Sequence, residues 1–269
     1  MIQPPGRLLL LGHPVAHSLS PAFQNAALAS AGVRLRYEAM DIEPSALAAK
    51  VDWLVSQRAA GNVTIPHKER MAELCTWLTP LAARVGAVNV FWTEGGTLCG
   101  DNTDVGGFAH AARELLGAEP RALRIALLGA GGTAAAVLAA AERWPACETV
   151  LHARGRARAQ ALADRFPAAS VAASLAAALD GATFVVNATP VGIDGCAMPT
   201  DPEAVPRDAI ALDVVYRRDG TQWTRALRER GLVAGDGLTM LIEQGALAFE
   251  RWLGFPPDRE VMRRAAGRE

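Results

Sequence analysis

Short apolar strings alternate with longer stretches whose apolar positions recur every three or four residues, almost from the start of the chain. That change of period between about two and about 3.6 is the signature of strands alternating with helices. Residues 7–12 read as a buried strand. Ser20-Pro21 looks like an N-cap followed by proline at the first helical position, opening a helix that stops near Gly32. Residues 35–42 alternate like a strand, 45–58 read as a helix, and 61–65 as a short strand ended by Pro66. Residues 67–78 read as a helix. Residues 87–92 and 97–100 flank Glu94-Gly95-Gly96 as a hairpin.

A helix over 103–116 carries the chain into a denser rhythm. Strands are predicted at 124–128, 149–153, around Val171, 183–187, 209–215 and 232–234. Helices are predicted at 133–143, 156–165, 174–179 and 221–230, and two amphipathic helices at 238–253 and 257–266. Strands separated by helices of this length imply a parallel sheet covered on both faces. The fold class is therefore α/β, with a first α/β unit and a second, Rossmann-like doubly wound one.

The length of 269 residues suits two domains of that kind. A net charge of -1 gives no field that points to nucleic acid or an anionic membrane. Cys75, Cys99, Cys147 and Cys196 form no C-x-x-C pair, so neither a zinc site nor a disulfide framework is expected. Reduced thiols suit a cytoplasmic protein. The apolar run at 8–11 is too short for a signal or a membrane span, and no later run reaches ~20 apolar residues. Without a secretory signal the sequons at Asn62 and Asn187 are not read as glycosylation sites.

Gly129-Ala130-Gly131-Gly132-Thr133-Ala134 has G-x-G-x-x-A spacing between an apolar strand and an Ala-rich helix. Gly129 allows the tight turn, Gly131 lets the backbone approach a pyrophosphate, and Ala134 is small enough for helix–strand contact. The helix start adds free N–H groups and a positive dipole end. NAD-binding versions carry an acid at the end of the next strand. Here that segment reads His152-Ala153-Arg154-Gly155-Arg156-Ala157-Arg158. Arg154 and Arg158 offer fork-shaped donors to a 2′-phosphate, which favours NADP over NAD.

The first region adds polar clusters at segment ends: residues 17–21, 62–68, 86–89 and 100–104. Each alone has a bland reading. Ser20 caps a helix or binds ligand, Lys68 is a solvated first-turn lysine, and 102–104 form a turn with a cap. His67 reads as a surface or packing residue rather than a catalytic one.

Together the clusters resemble the shikimate dehydrogenase family. The resemblance runs in family order through 12–21, 62–68, 86–89, 100–104 and 129–132, then 187–192, 213–216 and 236–245. It implies NADPH-linked, reversible reduction of 3-dehydroshikimate to shikimate, within aromatic amino acid biosynthesis. Lys68 and Asp104 match the catalytic pair, with Lys68 as acid/base and Asp104 as its orienting partner. An ammonium beside a carbonyl stabilises developing alkoxide charge. Ser18 and Ser20 match the serines that hold the substrate carboxylate. Asn62, Thr64, Asn89 and Gln244 match residues that bond ring hydroxyls or line the pocket, and Tyr216 a tyrosine near the carboxylate. The cofactor positions implied are Gly129, Ala130, Gly131, Gly132, Thr133, Arg154, Arg158, Thr189, Val215 and Gly237. No metal is implied, and either a monomer or a homodimer is allowed.

The resemblance also implies a substrate domain of residues 1–102 plus 237–269, a dinucleotide domain of 103–236, and a site in the cleft between them. The chain departs from the family after the glycine turn, where Ala134-Ala135 replace a polar residue and an arginine. Ala153 and Gly155 replace an asparagine and a threonine, and Gln24 replaces a common histidine. NADP preference is therefore expected to rest on Arg154 and Arg158. Two alternatives are a quinate or quinate/shikimate dehydrogenase using NAD(P), and a non-catalytic NADP-binding regulatory module.

Overall fold

The structure is a computed structural model that describes residues 4–267. The chain forms two compact units, Met1–Gly107 with Leu241–Glu269, and Phe108–Met240.

The first unit holds strands β1 (Arg7–Gly12), β2 (Tyr37–Asp41), β3 (Ala59–Val63), β4 (Trp77–Leu78), β5 (Val90–Glu94) and β6 (Thr97–Asp101). They form one sheet in the order β2-β1-β3-β5-β6-β4. β1 runs parallel to β2 and β3, and β5 is antiparallel to β3 and β6. Leu8, Leu9, Leu10 and Leu11 on β1 are all buried, so both sheet faces are covered there. That burial explains why β1 reads as an unbroken apolar string rather than an alternation. Gly95 and Gly96 have φ of 58° and 76° and join β5 to β6 in a two-residue turn. Positive φ at both central positions is what this tight hairpin demands.

The unit's helices begin with α1 (Ser20–Ser30), α2 (Val51–Ser56), α3 (Lys68–Leu74) and α4 (Pro80–Val85). Two expectations change here. The helix read at 45–58 is two 3-10 turns, Pro44–Ala46 and Ala48–Lys50, followed by α2. The turns tuck Leu47 fully into the core beside Leu9, Leu11 and Leu54. The helix read at 67–78 ends at Leu74, because the sheet edge captures the following backbone. Thr76 N–H donates to Leu98, and Trp77 and Leu78 pair with Cys99 and Gly100 as β4. Those bonds satisfy peptide groups that a continued helix would otherwise satisfy. The unexpected α4 follows Thr79-Pro80, where the Thr79 hydroxyl caps Ala82 N–H.

Helix α5 (Asp104–Leu116) leads into the second unit. Its strands are β7 (Arg124–Leu128), β8 (Glu148–His152), β9 (Ala169–Val171), β10 (Phe184–Asn187), β11 (Ile210–Asp213) and β12 (Ala234–Gly235). All pair in parallel, in the order β12-β11-β10-β7-β8-β9. Counted within the unit, this is the 3-2-1-4-5-6 order of doubly wound dinucleotide-binding sheets. The order reverses at β7, and a ligand crevice is expected at that switch point, outside the carboxyl ends of the strands. The unit's helices are α6 (Gly132–Ala141), α7 (Arg156–Ala163), α8 (Leu175–Leu179) and α9 (Gln222–Glu229). Every residue of α6 from Ala134 to Ala141 is buried, so its alanines serve close packing rather than an exposed face. Ser174 and Thr221 cap α8 and α9 through their side chains.

Helices α10 (Leu238–Leu253) and α11 (Arg259–Ala265) return the chain to the first unit, where α11 packs on α1. Gln24 on α1 donates to the Gly245 carbonyl at 2.9 Å. Buried Glu243 accepts from Arg259 and Arg263 at 2.9 and 3.2 Å. Among the described residues, no helix is long and apolar enough to cross a membrane.

Candidate active site

Lys68 opens α3 and Asp104 opens α5, 36 residues apart in sequence, and Lys68 Nζ lies 2.6 Å from Asp104 Oδ2. The ammonium side chain keeps 15% of its surface exposed and the carboxylate 5%, so this pair is nearly withdrawn from water. The other carboxylate oxygen accepts from Asn89 Nδ2 at 2.8 Å. Asn89 Nδ2 also lies 3.1 Å from Gln244 Oε1, and Asn89 Oδ1 accepts from Thr103 N–H at 2.7 Å. Gln244 is held in turn by its own bond to the Leu241 carbonyl. Four of the expected residues therefore form one connected network: Lys68, Asp104, Asn89 and Gln244. A buried network of this kind fixes geometry, because each group would be costly to leave unpaired.

Ser18 lies between β1 and α1, and Ser20 opens α1. The reading of Ser20 as a helix cap is corrected. Ser20 is the first helical residue, the cap position belongs to Leu19, and no side chain caps the helix. Ser18 Oγ instead accepts Ser20 N–H at 3.2 Å, which ties the two serines together. Thr64 follows β3 and is half-buried, with its backbone held to Leu11 and His67. His67 is a buried strut whose ring Nε2 donates to the Ile42 carbonyl at 2.7 Å.

Asn62 stands on β3. It is 4% exposed, its Oδ1 accepts from Tyr37 Oη at 2.8 Å, and its Nδ2 donates to the Asn89 carbonyl at 3.1 Å. One amide hydrogen and the amide oxygen are thus engaged inside the protein, which braces Asn62 between Tyr37 and Asn89. Burial pushes the Tyr37 phenol well above its usual range, which keeps it a neutral donor in this contact.

In the second unit, Gly129 has φ of 118°, and a Cβ there would stand 2.9 Å from the Ala188 carbonyl oxygen. Only glycine fits. Gly131 is the cap residue of α6, and Gly131, Gly132 and Thr133 stay partly accessible where the first N–H groups of α6 lack helical partners. Ala130 offers its carbonyl to Arg158 Nε at 2.9 Å, so Arg158 lies against the glycine turn. Arg154 is exposed on the loop after β8. A turn that bans a side chain, a helix start and two arginines fit a phosphate-bearing dinucleotide.

Thr189, Val215 and Gly237 stand just past the carboxyl ends of β10, β11 and β12, as ligand positions on such a sheet should. Thr189 Oγ1 donates to Asn187 Oδ1 at 2.6 Å. Val215 accepts Gly237 N–H at 3.1 Å, and a Cβ on Gly237 would collide with the Val214 carbonyl. Tyr216 follows at once, half-buried. Beneath these positions Asp213 is fully buried and accepts from Asn187, Thr221 and Val215. Burial pushes its carboxyl up to about 6 against the pull of those three bonds. Sequence reasoning assigned no role to Asp213 or Thr103. The available signal was that Asn187 and Asp213 each end an apolar strand, and the two are paired in register.

Two family models match the chain: the shikimate dehydrogenase substrate binding domain over residues 10–91, and the shikimate 5'-dehydrogenase C-terminal domain over 237–266. The shikimate dehydrogenase (NADP(+)) of Symbiobacterium thermophilum is 40% identical, over 97% of this chain and 94% of its own. The crystal structure of shikimate dehydrogenase from Aquifex aeolicus superimposes with a TM-score of 0.89 at 32% identity, covering 96% of this chain and 97% of that one. Shikimate 5-dehydrogenase from Thermus thermophilus, solved in complex with NADP(H) and shikimate, gives 0.84 at 38% identity, covering 97% and 98%.

Proposed function

The chain belongs to the shikimate dehydrogenase family, and on that premise we propose that it catalyses the reversible, NADPH-dependent reduction of 3-dehydroshikimate to shikimate. This is an oxidoreductase step of aromatic amino acid biosynthesis. The observation that carries the reading is the Lys68–Asp104 pair at 2.6 Å, braced through Asn89 and Gln244.

NADPH, when bound, supplies the hydride. Lys68 places its ammonium beside the substrate carbonyl, stabilises the alkoxide charge that develops there, and hands over the proton. Asp104 holds Lys68 in that direction, and Asn89 holds Asp104. Ser18 and Ser20 take the substrate carboxylate, with Tyr216 near it, while Thr64, Asn89 and Gln244 bond the ring hydroxyls. Asn62 lines the pocket beside Asn89. Gly129 to Thr133 hold the pyrophosphate, Arg154 and Arg158 the 2′-phosphate, and Thr189, Val215 and Gly237 complete the cofactor seat. The protein works in the cytoplasm as a monomer or homodimer; its four free cysteines support a reducing compartment.

Initial rates with shikimate and with quinate, each with NADP and with NAD, test the reading. Fast turnover with shikimate and NADP alone is expected. Preference for quinate or NAD moves the chain to a neighbouring activity on the same catalytic pair. Absence of turnover with all four combinations points to a non-catalytic module.

A further inference from the structure

Asp41 closes β2 and stands outside the constellation above, yet it reaches it by a continuous path. Its Oδ1 accepts from His13 Nδ1 at 2.6 Å, and its Oδ2 accepts Val15 N–H at 3.3 Å. The Val15 carbonyl accepts Ser18 N–H at 3.1 Å, and Ser18 Oγ accepts Ser20 N–H at 3.2 Å. One carboxylate thus holds the start of the segment whose end carries both serines. The backbone secures the two ends of that segment: at its root His13 N–H donates to Ile65 and Gly12 accepts from Ile42, and at its far end the Leu19 carbonyl accepts from Ala22 and Phe23 of α1, leaving Asp41 to hold the stretch between.

Charge gives the contact a second effect. His13 Nε2 also lies 3.3 Å from Glu43 Oε1, so both ring nitrogens face carboxylates, as only the imidazolium can do in full. His67 also acts on the Asp41 charge, and its ring is already committed to the Ile42 carbonyl. When His13 is charged it offsets Asp41 and Glu43. When it is neutral, two negative side chains stand uncompensated beside a segment meant to receive an anion.

We propose that Asp41 and His13 are positioning residues that set the serine segment, and with it the affinity for the substrate carboxylate. The proposal rests on the dehydrogenase reading above. The hydrogen bond to Asp41 raises the His13 pKa above 6.5, and the same bond holds the Asp41 carboxyl below 3.8. The ionic form of the pair is therefore complete between those ordinary values. It is lost as pH rises through the raised value of His13, and again as pH falls through the lowered value of Asp41.

The test is steady-state kinetics from about pH 6 to about pH 9, bracketing histidine titration, on the wild type, Asp41→Ala and His13→Gln. Asp41→Ala is expected to raise the shikimate KM by about threefold to fivefold at every pH, the scale of one exposed ion pair. His13→Gln is expected to raise it similarly near pH 6 and to converge on wild type as His13 itself becomes neutral. In both variants kcat and the NADP KM stay at wild-type values. An unchanged shikimate KM near pH 6 overturns the proposal. So does a His13→Gln effect that is constant with pH, or a fall in kcat that tracks the rise in KM. Should the wild type fail to oxidise shikimate at all, the dehydrogenase reading falls first, and that outcome is distinct from the others.

Discussion

Asn89 and Asp104 are joined at 2.8 Å through Asp104 Oδ1, while Lys68 Nζ lies 2.6 Å from Oδ2 of the same carboxylate. The carboxylate is therefore gripped from two sides, and its freedom to rotate away from the lysine is removed.

Lys68→Met is expected to lower kcat by about 10²–10⁴-fold, the usual contribution of a positioned acid/base, with a much smaller change in the shikimate KM. A lowered melting temperature is expected with it, because the Asp104 carboxylate, 5% exposed, loses its cation. Steady-state rates with a thermal melt check both parts. Near-normal turnover with an unchanged pH profile would remove Lys68 from its role.

Asn89→Ala leaves Asp104 Oδ1, Gln244 Oε1 and Thr103 N–H each short of a partner inside the unit. Unsatisfied buried groups of this kind cost about 1–3 kcal/mol each before relaxation. A clear drop in the urea midpoint is expected, together with a kcat reduced by at least about tenfold through the loosened carboxylate. If stability and kcat both hold, the network does not brace the pair.

Gly129→Ala forces a side chain into a backbone at φ of 118° and to within 2.9 Å of the Ala188 carbonyl oxygen. Strain of about 1–3 kcal/mol follows. Calorimetric titration should show NADP binding weakened by about tenfold or more, while shikimate binding, whose proposed residues other than Tyr216 lie in the first unit, changes little. Equal losses for both ligands would contradict this separation.

Asp213 makes stability depend on pH in an unusual direction. Its folded carboxyl is raised from 3.8 to about 6, so between those values the folded protein binds a proton that the unfolded chain does not. Stability contributed by this group therefore falls as pH rises through the window, by about 3 kcal/mol in total. Asp213→Asn keeps the size and one acceptor, and should flatten that part of the profile. Denaturant unfolding at several pH values reads it directly, and an identical slope in both proteins would exclude Asp213 as the source.

Much of this was legible because the signals were local. Strands β7, β10 and β11 announce themselves as apolar runs met at their ends by Gly129, Asn187 and Asp213, and the glycine turn shows its chemistry in its own spacing. The helix at residues 45–58 failed because propensity says nothing about Leu47, which the core claims by breaking the helix into turns. Residues 75–78 failed for a related reason: their partners are Leu98 to Gly100, a distant edge that no local window contains. The site divides in the same way. Residue types at Lys68, Asp104 and the serines could be read as chemistry, whereas the partners of the Asn62 side chain could not. An asparagine bonded to Tyr37 and one without that bond look the same in a string of letters.

The first unit is assembled from residues on either side of the second, with α11 on α1 and Gln24 bonded to Gly245. During synthesis its opening segment must therefore wait while residues 108–240 emerge. At about 5–20 residues per second that wait is roughly 7–27 s. Over that interval the nascent chain carries α1 with the surface meant for α11 still uncovered. The second unit, continuous in sequence, needs nothing from downstream to close its own sheet. The order of events on the ribosome is thus the reverse of the order in the gene: the cofactor half can mature first, and the half that begins the chain is finished by its tail.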